Sequence, residues 1–154
     1  MKTTKQDPQL EIELQELYIL SKHWASDIDF AEDEIRILKD VLNKHLTHFK
    51  KLQLDEASDF YKMLALQDVA VWDTKRKVSE FLQFIKPLVI GSTNEIGINL
   101  IEKFAVLNTD IQDLLDVVKQ IKKSLFHSID VIMKADCQVF VSQISHSVTK
   151  ENLL

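Results

Sequence analysis

Apolar residues recur along the first third of the chain at alternating steps of four and three. The series is interrupted only by Ser21 and His45. A repeat of 3.5 residues keeps one stripe of a helix against a partner over its whole length. The sequence therefore predicts a long amphipathic first helix, which begins at Asp7-Pro8 because Asp caps helices and Pro suits the first helical position. The members of this first seam are Leu10, Leu14, Leu17, Ser21, Trp24, Ile28, Ala31, Ile35, Leu38, Leu42, His45 and Phe49.

Two further series of the same spacing predict a second and a third helix. A tight turn is expected at residues 50–53, and Pro87 and Gly91 end the second helix. Residues 92–95, Ser-Thr-Asn-Glu, fit a capping box and predict where the third helix starts. The second seam is Phe60, Leu64, Gln67, Val71, Thr74, Val78, Phe81, Ile85 and Leu88; the third is Leu100, Phe104, Leu107, Ile111, Leu114, Val118, Ile121 and Leu125.

Beyond Leu125 the apolar stripe moves to another face of the helix. Either a fourth helix starts near Phe126 or the third helix runs on. Lysines before this point and Asp130 after it suit a helix boundary, so we favour four helices, with three long helices as the alternative. The fold class is all-α, an antiparallel up-and-down bundle of long amphipathic helices. The shifted stripe consists of Ile129, Met133, Cys137, Phe140, Ile144 and Val148.

Length and composition favour one helical domain over residues 1–154. The chain has only two glycines and two prolines, too few for the turns of a many-stranded sheet. Residues 1–7 are expected to form a flexible tail, and residues 149–154 a frayed end. The single cysteine, Cys137, cannot form an internal disulfide and is predicted to be a buried hydrophobe.

Charge and hydropathy exclude two classes of partner. A net charge of −5 disfavours a general nucleic-acid-binding protein, because a basic face supplies most of that affinity. The polar residues 1–9 do not resemble a signal peptide, and no apolar stretch reaches the length of a membrane span. The sequence predicts a cytoplasmic protein that binds neither nucleic acid nor membrane.

The charges also predict how the first two helices pair. In an antiparallel hairpin that turns near Leu52, residue i lies beside residue 104 − i. The acidic cluster of residues 27–34 then faces Lys75, Arg76 and Lys77. This pairing explains both clusters without a cation site or a nucleic-acid site.

A metal site is the one chemical hypothesis that the histidines allow. His45 and His48 lie one helical turn apart and could share a metal with His127 or His146. The structural interpretation is favoured, in which His45 lies in the seam and bonds to Asp59. No Glu-x-x-His motif is present, which argues against a di-iron bundle, and no residue pattern predicts a catalytic group or a cofactor.

The favoured functional hypothesis is a non-enzymatic helical bundle that acts through protein–protein contacts, as a homodimer or an adaptor. The first helix carries apolar residues outside its seam, which a third helix or another subunit would cover. They are Ile12, Ile19, Phe30, Ile37 and Val41. The alternatives are the metal-binding bundle and a bundle that encloses a small apolar ligand near the polar seam residues, which are Ser21, Gln67, Thr74 and Asn108.

Overall fold

The computed structural model describes residues 8–89 and 98–151, and within them the chain forms three long helices. Helix α1 spans Pro8–Lys51, α2 spans Glu56–Val89 and α3 spans Ile98–Glu151. No strand occurs in these residues, so the all-α prediction is confirmed. Helix α2 runs through Pro87, which therefore does not end it, and the predicted stop at Gly91 lies outside the described residues. Residues 1–7, 92–95 and 152–154, to which a tail, a capping box and part of a frayed end were assigned, lie outside the described residues.

Helix α3 continues without a break past Phe126, so the three-helix alternative is correct and the fourth helix is not formed. The helix is 54 residues long. Charges near a helix end contribute only about 0.3–1 kcal/mol each. Without a glycine or proline to interrupt the backbone hydrogen bonds, the lysines before Phe126 and Asp130 after it do not end the helix.

The turn between α1 and α2 closes through a left-handed residue. Gln53 has φ of 55°, and its N–H donates to the carbonyl of Lys50 at 3.0 Å. The N–H of Leu54 donates to the carbonyl of Phe49, also at 3.0 Å. This is the Schellman pattern, which satisfies the last carbonyls of a helix and usually has glycine at the left-handed position. The tight turn predicted at residues 50–53 is therefore present, with glutamine in the place of glycine.

The three helices contribute to two compact units, each built from separate stretches of the chain. Unit 1 contains α1 up to Ile35 together with Leu66–Val118, and unit 2 contains Arg36–Ala65 together with α3 from Lys119 onward. In unit 1, α2 runs antiparallel to both other helices. Between α1 and α2, Trp24 packs on Phe81 and Asp29 contacts Lys75. Between α2 and α3, Phe81 packs on Phe104 and Lys77 contacts Asp110.

The core of unit 1 contains an aromatic cluster around Trp24. Its ring centroid lies 5.6 Å from that of Phe81 and 4.8 Å from that of Phe104, and its Nε1 donates to Asn108 Oδ1 at 3.3 Å. Two hydroxyls are also buried here, on Ser21 and Thr74. Each donates to the carbonyl four residues earlier in its own helix, so neither links two helices.

The core of unit 2 is aliphatic around one pair of phenyl rings. Phe49 is fully buried and meets Phe60 edge-on, with ring centroids 6.5 Å apart. Along α3, Ile132 is the last buried side chain among those described. The predicted seam positions beyond it, Met133 and Cys137, are exposed. The prediction that Cys137 is buried is wrong, because Lys51 at the end of α1 already contacts Asp136 and, among the described residues, no helix buries α3 beyond that point.

The predicted register of α1 and α2 is confirmed in both units. In unit 1, Lys75 Nζ lies 3.4 Å from Asp29 Oδ1 and 2.5 Å from Glu32 Oε2. In unit 2, the Tyr61 hydroxyl donates to Asn43 Oδ1. Both Asp29–Lys75 and Asn43–Tyr61 satisfy the rule that residue i faces residue 104 − i.

The other two residues of the basic triplet bind acids elsewhere. Arg76 bonds to Asp73 and Glu80 of its own helix, at 2.8 and 2.9 Å. Lys77 contacts Asp73 at 3.1 Å and Asp110 of α3 at 3.6 Å. These contacts of Arg76 and Lys77 are with acids of α2 and α3, because consecutive helical residues point to different faces.

Candidate functional site

The two histidines of the predicted metal site lie at the end of α1, in unit 2. Their ring centroids are 6.0 Å apart, and both rings are half-buried. His45 Nδ1 donates to the carbonyl of Val41 at 2.9 Å, within its own helix. The predicted bond from His45 to Asp59 is therefore not formed, because the imidazole finds an acceptor one turn earlier.

His48 instead belongs to a small polar cluster with Asp136 of α3. His48 Nδ1 lies 2.8 Å from Asp136 Oδ2, and Lys51 Nζ donates to Asp136 Oδ1 at 2.7 Å. The hydrogen bonds from the Lys51 ammonium and then from His48 hold the pKa of the Asp136 carboxyl below its usual value. The cluster fixes the end of α1 against α3.

A metal centre at these histidines would need a third ligand. Because Nδ1 of each ring is engaged in a hydrogen bond, Nε2 is the nitrogen that remains for a metal. Among the residues that the structure describes, no group of three His, Cys, Asp or Glu side chains is placed to hold a metal ion. His127 and His146 are exposed on α3 and do not complete such a group. The metal site stays a prediction, with His45 and His48 as its two candidate ligands.

Replacing Asp136 by asparagine is expected to lower Tm by a few degrees at most near neutral pH. Because the folded pKa of Asp136 lies below its unfolded value of about 3.9, the stabilisation is present above that pH and is lost as the pH falls through the folded pKa. The Tm difference between wild type and Asp136→Asn should therefore be full near neutral pH and should shrink as the pH falls below the unfolded pKa.

Thermal melts of the two proteins between pH 7 and pH 2.5 measure this difference. Asp130→Asn is the matched control, since it removes one carboxylate from the same helix, where Asp130 pairs with the exposed Lys134. Its effect on Tm should be smaller. A Tm difference for Asp136→Asn that grows as the pH falls would contradict the role given to the cluster.

An open groove of about 480 Å³ lies between α2 and α3 in unit 1. Its apolar floor includes Phe81, Phe84 and Leu107, and Lys103 Nζ lies 4.2 Å from the centroid of the Phe84 ring. Acidic and basic side chains both line its rim, so the groove has no single charge preference. Of the polar seam residues, Gln67 and Thr74 line a separate, smaller cleft of about 260 Å³. An enclosed site for an apolar ligand stays a prediction.

Three strongly exposed apolar side chains lie together on α2, in unit 1. Leu66, Val69 and Trp72 follow one another at steps of three and are 66, 65 and 68% exposed. Residues three apart are neighbours on a helix surface, so these three side chains form one apolar strip, the α2 patch. Sequence reasoning missed the patch, although its signal was present as apolar residues beside the second seam.

The apolar residues outside the seam of α1 remain largely uncovered. Val41 is half-buried. Helix α3 does not cover the other four, so the expectation of coverage by a third helix is not met for them. The exposed residues are Ile12, Ile19, Phe30 and Ile37.

Comparisons of the chain with protein-family models, with curated proteins and with solved structures give no match. Among the described helices, none combines the length and apolar character needed to cross a membrane.

Proposed function

We propose that this protein is a non-enzymatic helical bundle that acts through contacts with other protein chains, and that the α2 patch is a contact surface. The observation that supports this is the exposure of Trp72, which presents 68% of its surface to solvent beside two equally exposed aliphatic residues. Tryptophan is among the residues most enriched at the energetic centres of protein interfaces. A cytoplasmic location stays a prediction.

The physical case rests on the contrast between the two tryptophans of the chain. Trp24 is buried in an aromatic cluster, and its indole N–H is hydrogen-bonded. The Trp72 side chain packs into no such cluster, although it has an equal apolar surface to remove from water. Covering Leu66, Val69 and Trp72 with a partner would therefore be favourable without rearranging the bundle.

Trp72→Ala should weaken binding of the partner by about 30-fold, the effect of removing a side chain worth about 2 kcal/mol at the centre of an interface. Co-purification from the native host with wild type, Trp72→Ala and Phe30→Ala measures this. Phe30 is the matched control because it is an aromatic residue of the same unit with 62% exposure, outside the α2 patch.

The protein bound by wild type should be depleted with Trp72→Ala and retained with Phe30→Ala. Titration of wild type with the partner should then shift the emission of Trp72 to shorter wavelength as water is excluded. Equal recovery of every bound protein with wild type and Trp72→Ala would contradict the proposal.

A further inference from the structure

The end of α3 projects beyond the helices that it packs against in unit 2. Lys51, the last residue of α1, contacts Asp136, and no described side chain of α3 after Ile132 is buried. The helix nevertheless continues to Glu151. From Cys137 onward this extension measures about 22 Å at a rise of 1.5 Å per residue.

The extension carries an apolar stripe that begins on the body of unit 2. Its members are separated by seven, four, three and four residues. Asp130, which pairs with Lys134, occupies the repeat position within the seven-residue step, and from Met133 onward the spacing is that of a helix that pairs with another helix. They lie beside the core face of α3 and not on it, since Ile129 and Ile132 are buried while these side chains are exposed. The α3 stripe consists of Phe126, Met133, Cys137, Phe140 and Ile144.

The same segment is unusually poor in charge. Residues 137–149 contain no Asp, Glu, Lys or Arg, and no other stretch of the chain without these residues is as long. A solvated helix surface normally carries charged side chains, whereas the centres of protein interfaces are depleted in them. In a chain with a net charge of −5, two copies can therefore meet along this segment without bringing carboxylates of the segment face to face.

We propose that a second copy of the chain covers the α3 stripe, so that two α3 helices pair and form a homodimer. A helix with a 3.5-residue repeat is best matched by a helix with the same repeat, and the second copy supplies one. The charge-free segment offers no ion pair to select a different partner, since flanking charges set partner choice in paired helices. This inference deepens the proposed function but uses another surface.

The test is the oligomeric state of purified full-length protein over a wide concentration range, by light scattering after size exclusion and by sedimentation. Wild type should be a dimer. Phe140→Lys should raise the dissociation constant at least 30-fold, since it places two charges in the contact. Phe30→Lys is the matched control, because Phe30 and Phe140 are 62 and 60% exposed, and it should remain a dimer. Far-UV circular dichroism should be unchanged in both variants.

Cys137 provides a second readout on the stripe itself, because it is exposed and the chain has no other cysteine. A short bifunctional maleimide should link wild type into a covalent dimer, and Cys137→Ser and Phe140→Lys should abolish the product. A monomeric wild type at the highest concentration would overturn the inference, as would a dimer that Phe140→Lys leaves intact.

Failure of this inference can be separated from failure of the proposed function. Trp72→Ala should remain a dimer, because the α2 patch is not part of the α3 stripe. If Trp72→Ala dissociated the dimer and Phe140→Lys did not, the self-contact would be at the α2 patch. The pairing of α3 would then be refuted, and the proposed function would stand.

Discussion

Replacing Phe49 by alanine is expected to lower the free energy of unfolding by about 3–5 kcal/mol. Phe49 is fully buried in unit 2, and its ring packs edge-on against Phe60. The substitution removes the apolar surface of a phenyl ring and leaves a cavity that the helices on each side cannot collapse to fill. Since small domains are stable by only about 5–15 kcal/mol, the variant should be close to unfolding at physiological temperature.

Urea titration followed by circular dichroism measures this loss. Phe30→Ala is the control, because it is the same chemical change at a side chain that is 62% exposed. Its effect should stay within about 0.5 kcal/mol of wild type. Similar losses for the two variants would show that Phe49 is not in the core.

Ser124→Pro is expected to destabilise the protein by about 3 kcal/mol or more. Ser124 lies inside the continuous helix α3, and its side chain is exposed, so packing contributes little to the effect. Proline at this position removes one backbone hydrogen bond, and its ring clashes with the carbonyl four residues earlier. A connection between a third and a fourth helix, by contrast, would accept proline readily.

Ser124→Ala is the companion variant, and it should be neutral or slightly stabilising because alanine has the higher helix propensity. Both variants can be compared with wild type by urea titration. A proline variant as stable as the alanine variant would show that α3 is broken near this residue.

The seams of the three helices could be predicted from the sequence because burial follows helical periodicity wherever partner helices exist. The positions predicted from Leu14 to Phe49 and from Phe60 to Leu88 are nearly all buried, with His45 and Gln67 among the partial exceptions. From Met133 onward the same periodicity no longer predicts burial, because the described seam positions there are exposed. A sequence pattern shows that a helix has an apolar face, but whether another helix of the chain reaches that face depends on where the others end.

The described residues bring no third ligand to the predicted metal site, and the sequence could not have shown this for a related reason. His45 and His48 could be placed on one turn from their spacing alone, whereas the contact of His48 with Asp136 joins residues 88 positions apart. That contact depends on the register of α3 against α1, which the charges of α1 and α2 do not determine. The α2 patch was different, because the spacing of Leu66, Val69 and Trp72 was visible in the sequence and only its exposure was not.

The discontinuous make-up of the two units has a consequence during synthesis on the ribosome. Unit 1 has all its residues once Val118 has been made, but unit 2 has its α1 and α2 segments long before the second half of α3 exists. In that interval the faces that carry Phe49 and Leu64 have no third helix to cover them. Exposed apolar faces of this kind make partly made chains prone to aggregation. Nascent chains that end between Val118 and Ile132 should therefore be the ones most in need of chaperones.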